Sequence, residues 1–488
     1  MRSLLLTLLF GLAPAPQDER WEDAIRAFER RDGEVAPPKE GILFVGSSSI
    51  RLWKLEESFS GLPVINRGFG GSQIADSVRY ADRIVLPHRP RTVVLYAGDN
   101  DIAAGKSAEQ VLEDTRSFVR TVCDALPETR VIFVAIKPSI RRLALYPEMA
   151  RANRLVAELT SSEERFDFAD VATPMLGAGG RPRKELFVED GLHLSATGYA
   201  LWTSVLRPLL DGEIRLLVRS DDMGAAHGMN AGCVRSVTDG IARSVELIVP
   251  GPWFPEAVRL LKEHPEIDVG VHLCLTSEWD GVKWRPLTEA PSLVDRDGYF
   301  FPMTRRRSEL PPETGFLDAR PRLEEVEREL RAQIELARRH FPRLSHLSAH
   351  MGAAVASEAL RELTLELSKE YGLPLDPPGI RRLRGVWTKE MSPEGKAEAL
   401  AGALRRIGPG TWLFVEHPAT DGSEMRAIGH NGYEDVAADR AGVLHALTSE
   451  AAKAVIRERK IRLVSYADLA PGKPAVRRGS GLPSGGRP

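Results

Sequence analysis

Serine, histidine and aspartate stand in this chain in an arrangement that suits acyl transfer. Ser48 lies in FVGSSSIRLW, directly after an apolar run and at the start of a helix-like segment. A hydroxyl placed there is exposed at the carboxyl edge of a sheet, and N–H groups of the helix start face the oxyanion that develops on an attacked carbonyl. Asp190 and His193 share one turn in DGLH, so the carboxylate can hold the ring while its other nitrogen faces Ser48. Gly71 in NRGFGGSQ offers a backbone N–H, and Asn100 in YAGDNDI a side-chain amide. Both follow apolar runs, where a parallel sheet gathers its ligands. Ser47 and Ser49 are rival hydroxyls, and G-x-S-x-I lacks the second glycine of the α/β-hydrolase elbow.

A second set combines carboxylates with imidazoles. The run IRLLVRS ends in Asp221-Asp222-Met-Gly, and adjacent carboxylates at a strand end are costly unless a cation or a proton-transfer duty uses them. His272 ends DVGVHL, His350 ends LSHLSAH, and His417 follows Glu416 at the end of WLFVEHP. Strand ends of a parallel barrel share one rim, the rim on which barrel active sites are built. One carboxylate oxygen and two imidazoles leave coordination positions open, which suits a catalytic divalent ion rather than a closed structural one. His346, four residues before His350, faces the same side by alternation and is either a partner of the site or core. His227 and Asn230 in AAHGMN are candidates to line the same site. Trp279 and Trp284 in SEWDGVKWRPL either offer aromatic faces to a ligand or pack a lid.

Gathering these side chains requires parallel sheets. From Gly41 the short apolar runs GILFVG, PVIN, TVVLYAG and VIFVAI alternate with amphipathic stretches, which implies a parallel sheet covered on both faces. The helix-like SATGYALWTSVLRPLL, with Ser195 as N-cap, closes this unit near Leu210. The alternation restarts at Ile214 with IRLLVRS, SVELIV, DVGVHL, LSHLSAH, IRRLRGV, WLFVEHP and IRLVSYADL. Seven candidate strands over residues 214–470 fit an incomplete (β/α) barrel.

Composition agrees with two domains. At 488 residues the chain is too long for one domain of roughly 100–200 residues. Sixty-six basic against 68 acidic residues give a formal charge of -2, so there is no global positive field for a nucleic acid or an anionic membrane. Cys123, Cys233 and Cys274 provide neither a disulfide framework nor a CxxC metal knuckle. The start MRSLLLTLLFGLAPAPQ has one Arg, an apolar run over residues 4–12 and the small residues Ala13-Pro14-Ala15. The run is shorter than the about 20 residues of a membrane span. It predicts a signal peptide over residues 1–15 and export to the periplasm or the exterior. The last stretch, residues 471–488, has no periodicity and is expected to be disordered.

The blocks GSSSI, GFGGS, GDND and DGLH, in this order, resemble the SGNH (GDSL-type) hydrolases over residues 20–211. The resemblance implies a three-layer α/β/α flavodoxin-like sheet with Ser48 as nucleophile, His193 as base, Asp190 as its orienter, and Gly71 and Asn100 as oxyanion donors. Ser47 replaces the Asp that usually precedes the nucleophile, a change of support around the serine. SDDMG, GVHL, SAHMG and VEHP resemble the YdjC/ChbG-type carbohydrate deacetylases over residues 214–470. That resemblance implies an irregular (β/α) barrel, Asp222, His272 and His350 as metal ligands, Asp221 as the base that activates water, and His417 as the acid for the leaving amine. SAHMG departs from the usual Asp-Ser-His wording at Ser348 and Ala349, which bears on how His350 is oriented.

Together the two halves imply an exported hydrolase that removes acyl groups, acetyl foremost, from an oligo- or polysaccharide. Its N-terminal serine esterase is joined to a C-terminal N-deacetylase that uses a divalent ion, zinc or magnesium first, with manganese, cobalt and nickel as further candidates. The rivals are a lipid or thioester hydrolase with an accessory barrel, and a cell-envelope glycan-binding protein without chemistry.

Overall fold

The apolar runs of the first half become the strands of one sheet. In a computed structural model that describes residues 20–470, apart from 161, 162, 164, 307–313 and 378, they are β1 (Ile42–Gly46), β2 (Val64–Gly68), β3 (Thr92–Tyr96), β4 (Arg130–Val134) and β5 (Phe166–Ala169). The expected signal peptide and C-terminal tail lie outside the described residues. All neighbours pair in parallel in the order β2-β1-β3-β4-β5, the flavodoxin-like order whose direction of winding reverses between β1 and β3. Every residue of β1 and β3 is buried, as a sheet covered on both faces demands. Leu43 and Val45 enter one apolar cluster with Val93, Leu95 and Phe133, while Phe44 packs on Trp53 and Phe59 on the opposite side. β5 was not among the apolar runs because Asp167 interrupts FDFA; its carboxylate faces Arg130 on β4.

The seven candidate strands of the second half all form: β6 (Ile214–Met223), β7 (Ser244–Leu247), β8 (Asp268–Leu273), β9 (His346–Ala349), β10 (Arg381–Arg382), β11 (Gly410–Glu416) and β12 (Arg462–Val464). They make a curled half-barrel of parallel strands in the order β10-β11-β6-β7-β8-β9, with β12 also pairing β6. β12 pairs residues 215–217 of β6 and β7 pairs residues 219–223, so the long β6 serves two neighbours on one edge. Among the described residues no pairing joins β9 to β10, and the barrel stays open.

The chain divides into two compact units: residues up to Ala172 with Lys184–Ala200, and Thr173–Arg183 with the residues from Leu201 onward. No helix among the described residues is long and apolar enough to cross a membrane.

Candidate active sites

The serine block sits at the carboxyl end of β1. Gly46 ends that strand at φ +132°, and a Cβ there would meet the Tyr96 carbonyl oxygen at 1.9 Å, so only glycine lets the chain turn this close to β3. Ser48 then opens a helix of a single turn, Ser48–Arg51. That is too short for a helix dipole of any size, and the expected charge stabilisation reduces to individual N–H groups. His193 Nε2 lies 3.0 Å from Ser48 Oγ, and His193 Nδ1 lies 2.5 Å from Asp190 Oδ2. The other Asp190 oxygen accepts the N–H groups of Leu192 and His193 at 2.8 and 2.9 Å. Desolvation pushes the Asp190 carboxyl up, but these bonds from His193 and Leu192 outweigh it and hold it down at about 2. Ser195 follows at once and caps the helix Ala196–Leu210 by accepting the Gly198 N–H at 3.2 Å.

Neither rival hydroxyl is paired with His193 among the described residues. Ser47 Oγ is buried and finds no hydrogen-bond partner among the described residues, while Ser49 Oγ lies 3.2 Å from Lys137 Nζ. Gly71 follows β2 at φ +82°, and Asn100 follows β3 with its Nδ2 donating to the Ser72 carbonyl at 3.0 Å. Ser48, Gly71 and Asn100 thus stand after β1, β2 and β3, the strands that flank the reversal of winding. Sequence reasoning missed Asp99, Lys137 and Arg142, a charged group around Ser49 and Asn100 in which Asp99 and Lys137 are buried and Arg142 is half-buried.

In the second unit the paired carboxylates fall where the β6–β7 register shifts, between Ser220 and Met223. Asp222 takes φ +73°, a left-handed conformation that a short polar side chain tolerates better than most and that marks stored strain. One ligand atom from each of Asp222, His272 and His350 lies within 4.8 Å of the others, the only such group among the described residues. His272 Nε2 is 3.6 Å and His350 Nδ1 3.2 Å from Asp222 Oδ1. Neither approach is aligned as a hydrogen bond, so this buried oxygen is left without a partner among the described residues. An orphaned buried carboxylate oxygen facing two imidazole nitrogens fits a divalent cation.

The back of the cluster is wired for that duty. His272 Nδ1 donates to Ser348 Oγ at 2.6 Å, and Ser348 donates to Glu246, which leaves His272 Nε2 unprotonated toward Asp222. Glu246 also accepts from His346, whose ring stacks on Tyr466 with centroids 3.5 Å apart. His346 is therefore a supporting residue behind the site. His350 Nε2 donates to Glu278 Oε2 at 2.9 Å, so the carboxylate that orients this ring comes from the SEWDG loop and the wording around His350 need not supply it. In the metal-free protein burial and the neighbouring His350 push His272 down to about 3, so this ring is neutral. Burial pushes His350 down as well, but Glu278, Cys274 and Asp222 outweigh it and hold it up, so a bound cation would have to displace a proton from this second ring. Burial pushes Asp222 up, but Arg440, His417 and His350 outweigh it and hold the carboxyl well below its usual range. Arg440 donates to Asp222 Oδ2 at 2.7 Å. Asp221 stands beside His272 Nε2 at 3.7 Å, and both its oxygens accept from Arg219, at 2.8 and 2.9 Å.

Comparison with known proteins matches each half of the chain to a family. Residues 215–458 match the model described as YdjC-like protein, and residues 51–201 match the GDSL-like lipase/acylhydrolase family. The chain belongs to the YdjC-like family. A carbohydrate deacetylase of Thermus thermophilus is 33% identical over 241 residues, which is 45% of this chain and 83% of the relative. One of Brevibacillus brevis is 30% identical over 268 residues, 52% of this chain and 100% of the relative. A solved GDSL-like lipase of Bacteroides thetaiotaomicron is 18% identical, with TM-score 0.34, over 38% of this chain and 97% of that one. The chain is a hydrolase.

Not every candidate in the YdjC-like half stands open at the site. Trp279 and Trp284 are 2% exposed each. Trp284 presents its edge to His350 and donates to the Thr276 carbonyl, and Trp279 is sandwiched by His430 and Arg440. Both pack the loop, and neither has a free face for a sugar. Asn230 is buried, its side chain tying Gly224 N–H to the Trp253 carbonyl and Glu256, so it supports the turn after Asp222 and does not line a pocket. His227 is exposed and pairs with Glu256 at 2.9 Å.

Proposed function

We propose that the chain is an exported hydrolase with two sites, a serine esterase in the first unit and a metal-dependent amide deacetylase in the second, both removing acetyl groups from carbohydrate. What supports this is that each constellation is complete within its own unit and shares no residue with the other. The sugar substrate is supported by the relatives named carbohydrate deacetylases.

In the first site Ser48 Oγ passes its proton to His193 Nε2 as it attacks the ester carbonyl, and Asp190 holds the Nδ1–H that makes this tautomer possible. The Ser48–acyl bond forms as the sugar hydroxyl leaves with the proton from His193. Water then repeats the sequence and releases acetate. Gly71 N–H and Asn100 Nδ2 are the groups that receive the oxyanion.

In the second site Asp222, His272 and His350 would hold a divalent ion, which supplies Lewis acidity and lowers the pKa of water. Two imidazoles with one carboxylate favour zinc over the magnesium that prefers all-oxygen shells. Asp221, gripped by Arg219, takes the proton of the attacking water. His417, whose charge acts on Asp222, returns one to the leaving amine. The test is acetate release from O-acetylated and N-acetylated sugars with and without chelator. Both substrates should be cleaved, and chelation should stop only the amide. Loss of both on chelation, or release from neither, would overturn the reading.

A further inference from the structure

An oxyanion donor that is a side-chain amide carries a hazard that a backbone N–H does not. The two ends of Asn100 have the same shape, and a flipped amide would aim an oxygen lone pair at the developing negative charge. In this site the choice is fixed before substrate arrives. Asn100 Nδ2 donates one hydrogen to the Ser72 carbonyl at 3.0 Å, which keeps the second hydrogen for the oxyanion. Asn100 Oδ1 accepts from Arg142 Nη2 at 3.0 Å. A guanidinium is donor only and a carbonyl acceptor only, so a flip would break both bonds and set like against like twice.

Arg142 is itself held in place. Its Nη1 donates to the Asp99 carbonyl at 3.0 Å and lies 3.3 Å from Asp99 Oδ2. The same carboxylate oxygen accepts from Lys137 Nζ at 3.0 Å, and Lys137 also reaches Tyr96 OH at 2.9 Å and Ser49 Oγ at 3.2 Å. Asp99 is 5% exposed and Lys137 1%, so the clamp is anchored inside the fold. We infer that Arg142 is a positioning residue of the esterase site, acting through Asn100 by fixing which end of its amide faces the substrate carbonyl.

The inference rests on the reading of the Ser48 site as an esterase, and a double-mutant cycle tests it apart from that reading. The enzyme, Arg142→Met, Asn100→Ala and the double variant are compared on an aryl acetate. Removing an oxyanion donor costs about 10²–10³ in kcat, so Asn100→Ala should lose that much. Arg142→Met should lose a large part of it, with KM within about threefold, since ground-state binding does not use the oxyanion donor. The double variant should be no slower than Asn100→Ala alone, and Arg142→Lys should recover part of the lost kcat by keeping one donor for Oδ1. Multiplying losses in the double variant, or full kcat in Arg142→Met, would overturn the role of Arg142 while leaving the esterase standing. A wild-type protein that cleaves no ester would overturn both. Where Arg142→Met does not fold, the same cycle is run with Arg142→Lys, whose partial loss must likewise vanish in the Asn100→Ala background.

Discussion

Replacing Asp190 by Asn separates a working triad from three neighbouring polar groups. The native carboxylate holds the imidazole N–H with one oxygen at 2.5 Å and two backbone N–H groups with the other at 2.8 and 2.9 Å. Asn keeps a single acceptor, which the backbone N–H groups claim, and turns its NH2 toward Nδ1. His193 must then carry its proton on Nε2, where it cannot accept the proton of Ser48. In protease triads this change costs about 10⁴ in kcat, or about 5.5 kcal/mol of transition-state stabilisation. Here 34% of the Asp190 side chain and 29% of that of His193 remain exposed, so water can replace part of the lost support. The expected loss is about 10³ in kcat, with KM little changed, while Ser48→Ala costs on the order of 10⁶. Steady-state hydrolysis of an aryl acetate by the two variants measures it. A loss below about tenfold would mean that His193 holds its tautomer without Asp190, and the proton-transfer argument would fall.

Glu278→Gln keeps an acceptor for His350 Nε2–H but removes its charge. Divalent-ion affinity, followed by calorimetric titration of the metal-free protein, should drop about tenfold with aryl-acetate hydrolysis intact; unchanged affinity would contradict the orienting role. In the metal-free protein, burial and Asp439 push the partly buried Glu416 carboxyl up to about 8. The folded state then holds a proton that the unfolded state releases above about pH 4.3, so stability should fall as pH rises from there toward 8. Scanning fluorimetry should show this fall to be smaller in Glu416→Gln, and equal falls would refute the assignment. Export predicts a mature N-terminus just after residues 13–15 in protein from the native host. An intact Met1 on a cytosolic species would contradict it.

The chemistry-bearing ends of strands were legible in the sequence because a parallel sheet places every strand end on one edge, so that apolar runs mark Ser48, Asp222, His272 and His350 as candidates. His193 stands in a turn before a helix, and it was the DGLH block and the two family resemblances that gave these residues their roles. The groups that orient them were not legible. Glu278 and Arg142 sit in irregular segments, and Glu246 and Arg440 read as ordinary charges on a strand and a helix; each reaches its partner across tens of residues or more. No local periodicity encodes such a pairing. Arg219 was the exception within reach, since it stands two residues before Asp221 and alternation puts both on one face of β6. The tryptophans misled for the opposite reason. An aromatic residue in a polar loop suits a ligand face or a loop core equally, and only the stack of His430 and Arg440 on Trp279 decides for the core.

The independence of the two chemistries is tested by a crossed assay of His193→Ala and Asp222→Ala on an O-acetyl ester and an N-acetyl sugar. His193→Ala should abolish ester hydrolysis and leave amide deacetylation standing. Asp222→Ala should strip the divalent ion and abolish deacetylation, while ester hydrolysis survives both this change and chelation. Loss of both activities from either substitution, in a protein that remains folded, would contradict two separate sites and require one composite site in their place.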